Sequence, residues 1–238
     1  AAARNNLVRL FESRPDKRLI IRINAMSTQW GAEDLVAAKA AKPHAILLPK
    51  VDSPRDILET DDALDDGDAP KRIRLWAMIE TPKAMMNIGA IAALGRDRAA
   101  RLACLVAGTN DLAKDAGIRI SPDRRYLMPA LSQMVMAARA GNLTVLDGVS
   151  NDFRDLDAFA AEAREGRNMG FDGKTLIHPA QIEPANRAFA PSEEDVAEAE
   201  AIVAAFAADP AQGVIQINGR MIERLHLAQA EKLLAARF

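Results

Sequence analysis

The stretch IRLWAMIE (73–80) is a short, nearly continuous apolar run that ends in a carboxylate, and it predicts a β-strand buried on both faces. Five further runs of the same kind recur along the chain. They are RLIIRIN (18–24), HAILLPKV (44–51), LACLVAG (102–108), LTVLDGV (143–149) and KTLIHP (174–179). Short apolar runs of this type are typical of a parallel sheet.

Segments with an apolar period near 3.6 residues separate these runs and predict helices. They cover 31–41, 54–64, 81–94, 126–140 and 153–170. Alternating strands and helices predict right-handed βαβ crossovers. A closed (β/α)8 barrel has eight strands, so two alternatives are open: a six-stranded open sheet, or a TIM barrel whose first two strands precede Ala1. We expect the barrel, because residues 1–13 have a helical pattern with no cap before their alanine run.

The last third of the chain predicts an appendage rather than two more parallel strands. Residues 191–210 form one helix bounded by prolines, and 213–222 form a hairpin that turns at Asn218-Gly219. A closing helix follows from 223. The predicted domains are a barrel over 1–190 and a C-terminal arm over 191–238.

Composition excludes several classes of protein. The chain has 238 residues, 49% hydrophobic and 27% charged, which excludes a disordered chain, and its net charge of -2 gives no electrostatic reason to expect nucleic acid. No apolar run is long enough to span a membrane. The one cysteine, Cys104, excludes an internal disulfide framework; it fits a reducing, cytoplasmic setting and is expected to be buried. The stretch 60–72 is expected to be a polar connection.

Charged residues at the ends of the predicted strands are the candidates for chemistry, because barrel active sites lie at the carboxyl ends of the strands. Glu80 and Asp111 each follow an apolar strand, and two such carboxylates can share one Mg²⁺ ion. In the alternative interpretation, Asp111 only caps a helix. Asp147 is a third strand-end acid that would lie around such a site rather than bind the ion.

Two further side chains have open interpretations. Arg22 lies in an otherwise apolar strand, where its charge must meet either an anion at the strand end or an acid on another strand. His178 is either a base or a structural histidine bonded to the backbone beside Pro179. No glycine-rich phosphate loop is present.

Several blocks of the sequence resemble the citrate lyase beta-subunit-like family, which includes malyl-CoA and citramalyl-CoA lyases. They occur in the family's order over essentially the whole chain: RIN with Trp30, LLPKV, MIETP with Asn87, GTNDLA, LDGVSNDF, GKTLIHPAQI and NGRMIE. The resemblance implies a TIM barrel that assembles into a homo-oligomer, as a trimer or a dimer of trimers. It also implies Mg²⁺-dependent cleavage or formation of the carbon–carbon bond between an acyl-CoA and a 2-oxo acid.

The resemblance assigns roles to individual residues. Arg22 matches the arginine that holds the substrate, while Glu80 and Asp111 match the ligands of Mg²⁺. Lys50 and His178 fall near the mouth of the barrel, where the family binds its substrate and CoA.

Two departures from the family pattern bear on function. The strand–helix–strand segment that usually begins these proteins does not occur in this sequence. Relatives with lyase activity have Met-Ile-Asp in the C-terminal hairpin, where the aspartate acts as the acid/base, often in a neighbouring subunit; here the block is Met-Ile-Glu, which ends at Glu223.

The sequence therefore predicts a Mg²⁺-dependent carbon–carbon lyase acting on a citryl-, malyl- or citramalyl-CoA type of 3-hydroxyacyl-CoA. Glu223 and Arg22 are the predicted catalytic residues. Two alternatives stay open: a thioesterase on the same esters, and a non-catalytic relative that binds a small acid or a partner subunit.

Overall fold

A computed structural model describes residues 2–12 and 17–235, and it divides into two compact units between Ala185 and Asn186. The sequence placed the division five residues later, between 190 and 191. Each unit is described separately below. Within the described residues, no helix is both long and apolar enough to cross a membrane.

The first unit contains a parallel six-stranded sheet whose strands follow one another in chain order. The strands are β1 (Ile20–Arg22), β2 (Ala45–Leu48), β3 (Arg74–Ile79), β4 (Leu102–Ala107), β5 (Thr144–Asp147) and β6 (Gly173–Lys174). The first five lie within predicted runs, whereas β6 overlaps its run, 174–179, only at Lys174. In the described part of the chain no ladder joins β1 to β6, so the sheet is a curled half-barrel rather than a closed barrel.

Helices lie between successive strands, as the alternation predicts, and others precede the first strand and follow the last. They are α1 (Ala2–Glu12), α2 (Gly31–Ala41), α3 (Pro54–Asp66), α4 (Pro82–Ala93), α5 (Thr109–Ala116), α6 (Met128–Gly141), α7 (Leu156–Met169) and α8 (Ile182–Phe189), the last of which spans the division between the units. Short 3-10 turns cover Leu94–Arg96 and Pro179–Gln181. Local caps set the starts: the Thr81 hydroxyl accepts from the N–H of Ala84 at 3.0 Å, and a proline occupies the first turn of α4.

The two faces of the sheet differ in burial. Ile46, Leu75, Ala77 and Leu105 are fully buried on the face that packs against α3, α4 and α6. On the opposite face, one residue from each of β1 to β4 lies in register with the next, and the residue on the edge strand β1 is exposed. These residues are Arg22, Leu47, Trp76 and Cys104. The register therefore puts Arg22 on the face that would form the interior of a barrel.

The predicted polar connection over 60–72 was wrong in its first half, because α3 continues to Asp66. The cause is the buried Arg101, whose Nε donates to Asp61 at 2.6 Å and whose guanidinium also pairs with Asp65. Arg101 is 3% exposed, so its charge needs these two acids on one helical face. Cys104 is buried as expected, and burial raises the pKa of its thiol to about 12.

A second buried ionic cluster joins β5, β6 and α7. Both oxygens of Asp147 accept from Arg124, at 2.9 and 2.8 Å, and Oδ2 also accepts from Lys174 Nζ at 2.8 Å. Lys174 pairs with Glu162 at 2.6 Å, and neither Asp147 nor Lys174 is exposed. Asp147 thus bonds to two buried cations at once.

The second unit consists of α9 (Glu193–Ala208), a hairpin of β7 (Val214–Ile217) and β8 (Arg220–Glu223), and α10 (Arg224–Ala235). The Asn218-Gly219 turn is confirmed: φ is 51° at Asn218 and 77° at Gly219, as a type I′ turn requires. Its apolar core comes from α9, the hairpin and α10. The predicted start of the last helix was one residue early, since Glu223 ends β8.

Replacing Asp147 with Asn should strongly destabilise the protein, because two buried cations, Arg124 and Lys174, lose the fully buried carboxylate that bonds to both of them. The expected loss is about 3–5 kcal/mol in the free energy of unfolding, the usual effect of breaking a buried ion pair. Arg55→Ala is the control, since Arg55 is 83% exposed in its pair with Glu59 and should change stability by less than about 0.5 kcal/mol. Urea denaturation of both variants measures the difference; equal stabilities would contradict this account of the cluster.

Candidate metal and substrate site

One lysine links the two candidate metal ligands. The backbone N–H of Lys50 donates to Glu80 Oε1 at 2.8 Å, and its ammonium donates to Asp111 Oδ1 at 2.6 Å. Glu80 and Asp111 are also close enough for the charge of Asp111 to raise the pKa of Glu80. The structure therefore brings both predicted carboxylates together at the carboxyl end of the sheet, with Lys50 between them.

Glu80 follows β3 directly and is only 4% exposed. Burial is the main cause that raises its pKa above the usual value, while Lys50 and Arg22 oppose that rise. The neighbouring Gly108 lies so close that a Cβ there would overlap Cβ of Glu80 and approach its Oε2 to 2.9 Å. A glycine at the exit of β4 is thus required for the Glu80 side chain to fit.

Asp111 lies in the first turn of α5, and it is more open to solvent, with 45% of its side chain exposed. A carboxylate in the first turn is favoured by the helix dipole, so the capping interpretation and the ligand interpretation agree on its position. The preceding residue anchors the turn: Asn110 and Asn151 exchange two side-chain hydrogen bonds, at 2.9 and 2.8 Å.

Arg22 ends β1 and has no ion pair among the described residues, so the alternative of an internal salt bridge is not found. Its positive charge is near enough to Glu80 to lower the pKa of that carboxyl. Arg22, Lys50, Glu80 and Asp111 hence form one group of two cations and two carboxylates.

A supporting network that the sequence did not indicate fixes the loop after β2. The Thr81 hydroxyl donates to Asp52, and the Asn87 side chain donates to the Asp52 carbonyl at 2.9 Å. These bonds tie the segment that carries Lys50 to the start of α4, directly after Glu80. Asn87 belongs to a block that the family resemblance used, but its spacing alone gave no sign of this contact.

The remaining candidate residues contact other partners. His178 is exposed, stacks on Phe153 with ring centroids 4.6 Å apart, and accepts the Ala180 N–H through Nδ1 at 3.1 Å, which agrees with the structural interpretation. Asp147 belongs to the buried cluster of Arg124 and Lys174. Glu223 lies in the second unit, where its N–H donates to His226 Nδ1 at 2.9 Å.

The donor set of Glu80 and Asp111 fits Mg²⁺. Both are hard oxygen ligands, and no hydrogen bond from the described residues reaches Glu80 Oε2 or Asp111 Oδ2. Over 2–12 and 17–235 there is no cluster of three or more His, Cys, Asp and Glu side chains suited to a metal. Mg²⁺ typically uses one or two carboxylates and completes its shell with water and substrate, so two protein ligands suffice.

Comparison with known proteins identifies relatives of this chain. A family model described as HpcH/HpaI aldolase/citrate lyase matches residues 1–179. A (3S)-malyl-CoA thioesterase of Cereibacter sphaeroides (strain ATCC 17025 / ATH 2.4.3) is 44% identical over 218 residues, which cover 91% of this chain and 73% of the relative. The citrate lyase subunit beta of Escherichia coli (strain K12) is 30% identical over 230 residues, covering 91% and 75%.

A solved structure is similar over nearly the whole chain. The protein CitE from Mycobacterium tuberculosis, crystallised with magnesium, acetoacetate and coenzyme A, superposes with a TM-score of 0.79 at 30% identity. The match covers 99% of this chain and 83% of CitE.

Replacing Gly108 with Ala should weaken Mg²⁺ binding by about tenfold or more, because the new methyl group displaces the Glu80 carboxylate. A tenfold loss of affinity corresponds to a loss of only about 1.4 kcal/mol in binding free energy. Isothermal titration calorimetry with MgCl2 measures the change. The control is Gly89→Ala in α4, where a Cβ meets nothing within 4 Å. Unchanged affinity in a folded Gly108→Ala protein would remove Glu80 from the set of ligands.

Proposed function

The chain belongs to the HpcH/HpaI aldolase/citrate lyase family, and on this premise we propose that it is a Mg²⁺-dependent enzyme acting on the CoA thioester of a hydroxy acid. The observation that supports this most directly is the group at the sheet edge: Glu80 and Asp111, joined through Lys50, with the unpaired Arg22 close by. An anionic acid substrate needs both a cation-binding pair and a free guanidinium, and this edge has both.

Each residue of the group has a distinct role in the proposal. Glu80 and Asp111 hold the Mg²⁺ ion, which when bound supplies a Lewis acid for an oxygen of the substrate. Arg22 binds a substrate carboxylate with its planar fork and opposes developing negative charge on oxygen. The Lys50 N–H and Gly108 hold the Glu80 carboxylate in one orientation.

We propose thioester hydrolysis as the reaction. The sequence alone favoured carbon–carbon cleavage, but a malyl-CoA thioesterase is 44% identical over most of this chain, against 30% for a citrate lyase beta subunit. In hydrolysis, a water oxygen bonds to the thioester carbon, the carbon–sulfur bond breaks, and free CoA leaves with the water's proton. Glu223 is the carboxylate that accepts this proton and returns it to sulfur.

Carbon–carbon cleavage is the second candidate, favoured by the citrate lyase relative and by the order of sequence blocks. Here the 3-hydroxyl passes its proton to Glu223 as the bond between C2 and C3 breaks. The products are a 2-oxo acid and an acyl-CoA, whose C2 receives that proton back from Glu223.

Product analysis separates the two reactions. Malyl-, citramalyl- and citryl-CoA are incubated with the protein and MgCl2, and free CoA, intact hydroxy acid and 2-oxo acid are quantified. Hydrolysis gives CoA and hydroxy acid in equal amounts; cleavage gives 2-oxo acid without free CoA. Arg22→Lys, which keeps the charge but loses the bidentate fork, should lower kcat/KM by about tenfold or more for whichever reaction occurs. No Mg²⁺-dependent product from any ester would overturn the proposal and favour a non-catalytic relative.

We also propose that the half-barrel is part of a complete (β/α)8 barrel, and that the protein is a homo-oligomer, a trimer or a dimer of trimers. The supporting observations are the open edges of β1 and β6 and the family membership. In such an assembly, Glu223 of one subunit completes the site of its neighbour.

A mixing experiment tests the shared site. Glu223→Ala should abolish turnover yet leave Mg²⁺ affinity unchanged, because Glu223 is not a proposed ligand, whereas Glu80→Gln should weaken Mg²⁺ binding. Mixing the two inactive proteins should restore part of the activity, since some sites then combine two intact halves. The control is each variant mixed with itself. Mass-tagged subunits verify that subunits have exchanged. If they have exchanged and no activity is recovered, a site shared between subunits is excluded.

A further inference from the structure

Lys50 adopts a backbone conformation that lysine rarely takes. Its φ is 53°, in the left-handed region that glycine adopts without strain and other residues adopt only at a cost in energy. The turn after β2 directs its N–H onto Glu80 and its ammonium onto Asp111. Glycine would make the N–H bond without strain, so the geometry of the turn alone does not explain a lysine at this position.

The contacts of the ammonium suggest what the side chain adds. Lys50 Nζ lies 2.6 Å from Asp111 Oδ1 and 3.8 Å from Asp115 Oδ2, and its side chain is 39% exposed. The ammonium therefore occupies one oxygen of a candidate metal ligand, where it forms an ion pair with Asp111.

We propose that the Lys50 ammonium competes with the divalent cation for Asp111 and thereby sets the Mg²⁺ affinity of the site. This inference rests on the proposed metal pair of Glu80 and Asp111. With no metal, the ammonium neutralises Asp111 and keeps two carboxylates from facing one another uncompensated. When Mg²⁺ binds, the Lys50–Asp111 bond gives way, and the cost of breaking it lowers the affinity.

Lys50 is thus a positioning residue with two separable parts. Its main chain holds Glu80 and is retained in every substitution except proline. Its side chain opposes metal binding and is lost in Lys50→Met. The two parts predict opposite results for a substitution, because loss of the ammonium strengthens binding, whereas loss of a supporting contact would weaken it.

The test is calorimetric titration of the whole chain with MgCl2 alone at 150 mM KCl, where distant charges are screened. Lys50→Met should bind Mg²⁺ about three- to fivefold more tightly than the natural chain, the range that a half-exposed ion pair supports. Lys50→Arg keeps the charge and should stay within about twofold. Lys83→Met is the matched control: Lys83 is also a cation near this edge, 3.7 Å from Asp52 Oδ2, but it bonds to neither candidate ligand, so the affinity should not change.

The outcomes separate this inference from the proposed function. Mg²⁺ binding that is equal or weaker in Lys50→Met overturns the competition and leaves the metal pair intact. An absence of Mg²⁺ binding in the natural chain and in every variant overturns the metal pair and this inference together. If Lys50→Met does not fold, Lys50→Gly replaces it, since glycine adopts the left-handed φ without strain and should give the same gain in affinity.

Discussion

The burial of one carboxylate, that of Glu80, is the constraint on which the rest of the site depends. A carboxylate that is 4% exposed at a strand end needs compensation, and every nearby feature provides part of it. The Lys50 N–H bonds to it, Arg22 and Lys50 bring positive charge, and Gly108 leaves it the space it occupies. Even so, burial keeps the pKa of Glu80 above its usual value, which means that the charged form of the carboxylate is disfavoured. A cation bound beside Glu80 would stabilise the charged form.

This constraint explains the left-handed turn at residue 50, which brings a backbone N–H to Glu80, and the glycine that follows β4. Neither residue is a proposed ligand, yet both act on Glu80 from neighbouring strands, one from each side of β3. Parallel strands in chain order place three consecutive carboxyl ends next to each other, so residues 30 positions apart meet without any long-range feature of the sequence. The buried clusters of Arg101 and Asp147 serve a different purpose, because they pair charged side chains with one another inside the unit.

The strands and the carboxylate pair could be predicted because each depends on local sequence. A continuous apolar run specifies a buried strand wherever it occurs, and a carboxylate at its end is visible in the same run, as at Glu80. The Asn218-Gly219 turn was visible for the same reason. The extension of α3 was not, because Asp61 and Asp65 look like surface acids until Arg101, 40 residues away from Asp61, is buried against them. The Lys50 contacts could not be predicted for a similar reason: they join Lys50 to Glu80 and Asp111, which are 30 and 61 residues away along the chain.

The group of Arg22, Lys50, Glu80 and Asp111 does not determine whether the reaction is hydrolysis or carbon–carbon cleavage. Both reactions need a polarised oxygen and a bound carboxylate, which Glu80, Asp111 and Arg22 would supply equally. They differ in where a proton goes, to sulfur in one case and to carbon in the other, so the choice falls to the group that moves it. In the proposed function that group is Glu223, at the end of β8 in the second unit, where its backbone N–H donates to His226. Glutamate has one methylene more than the aspartate that the family resemblance leads us to expect at this position. The longer side chain moves the carboxyl by roughly 1 Å, a distance that can change a rate by about 10²-fold. The first unit would therefore determine which kind of substrate binds, and the second unit which bond breaks.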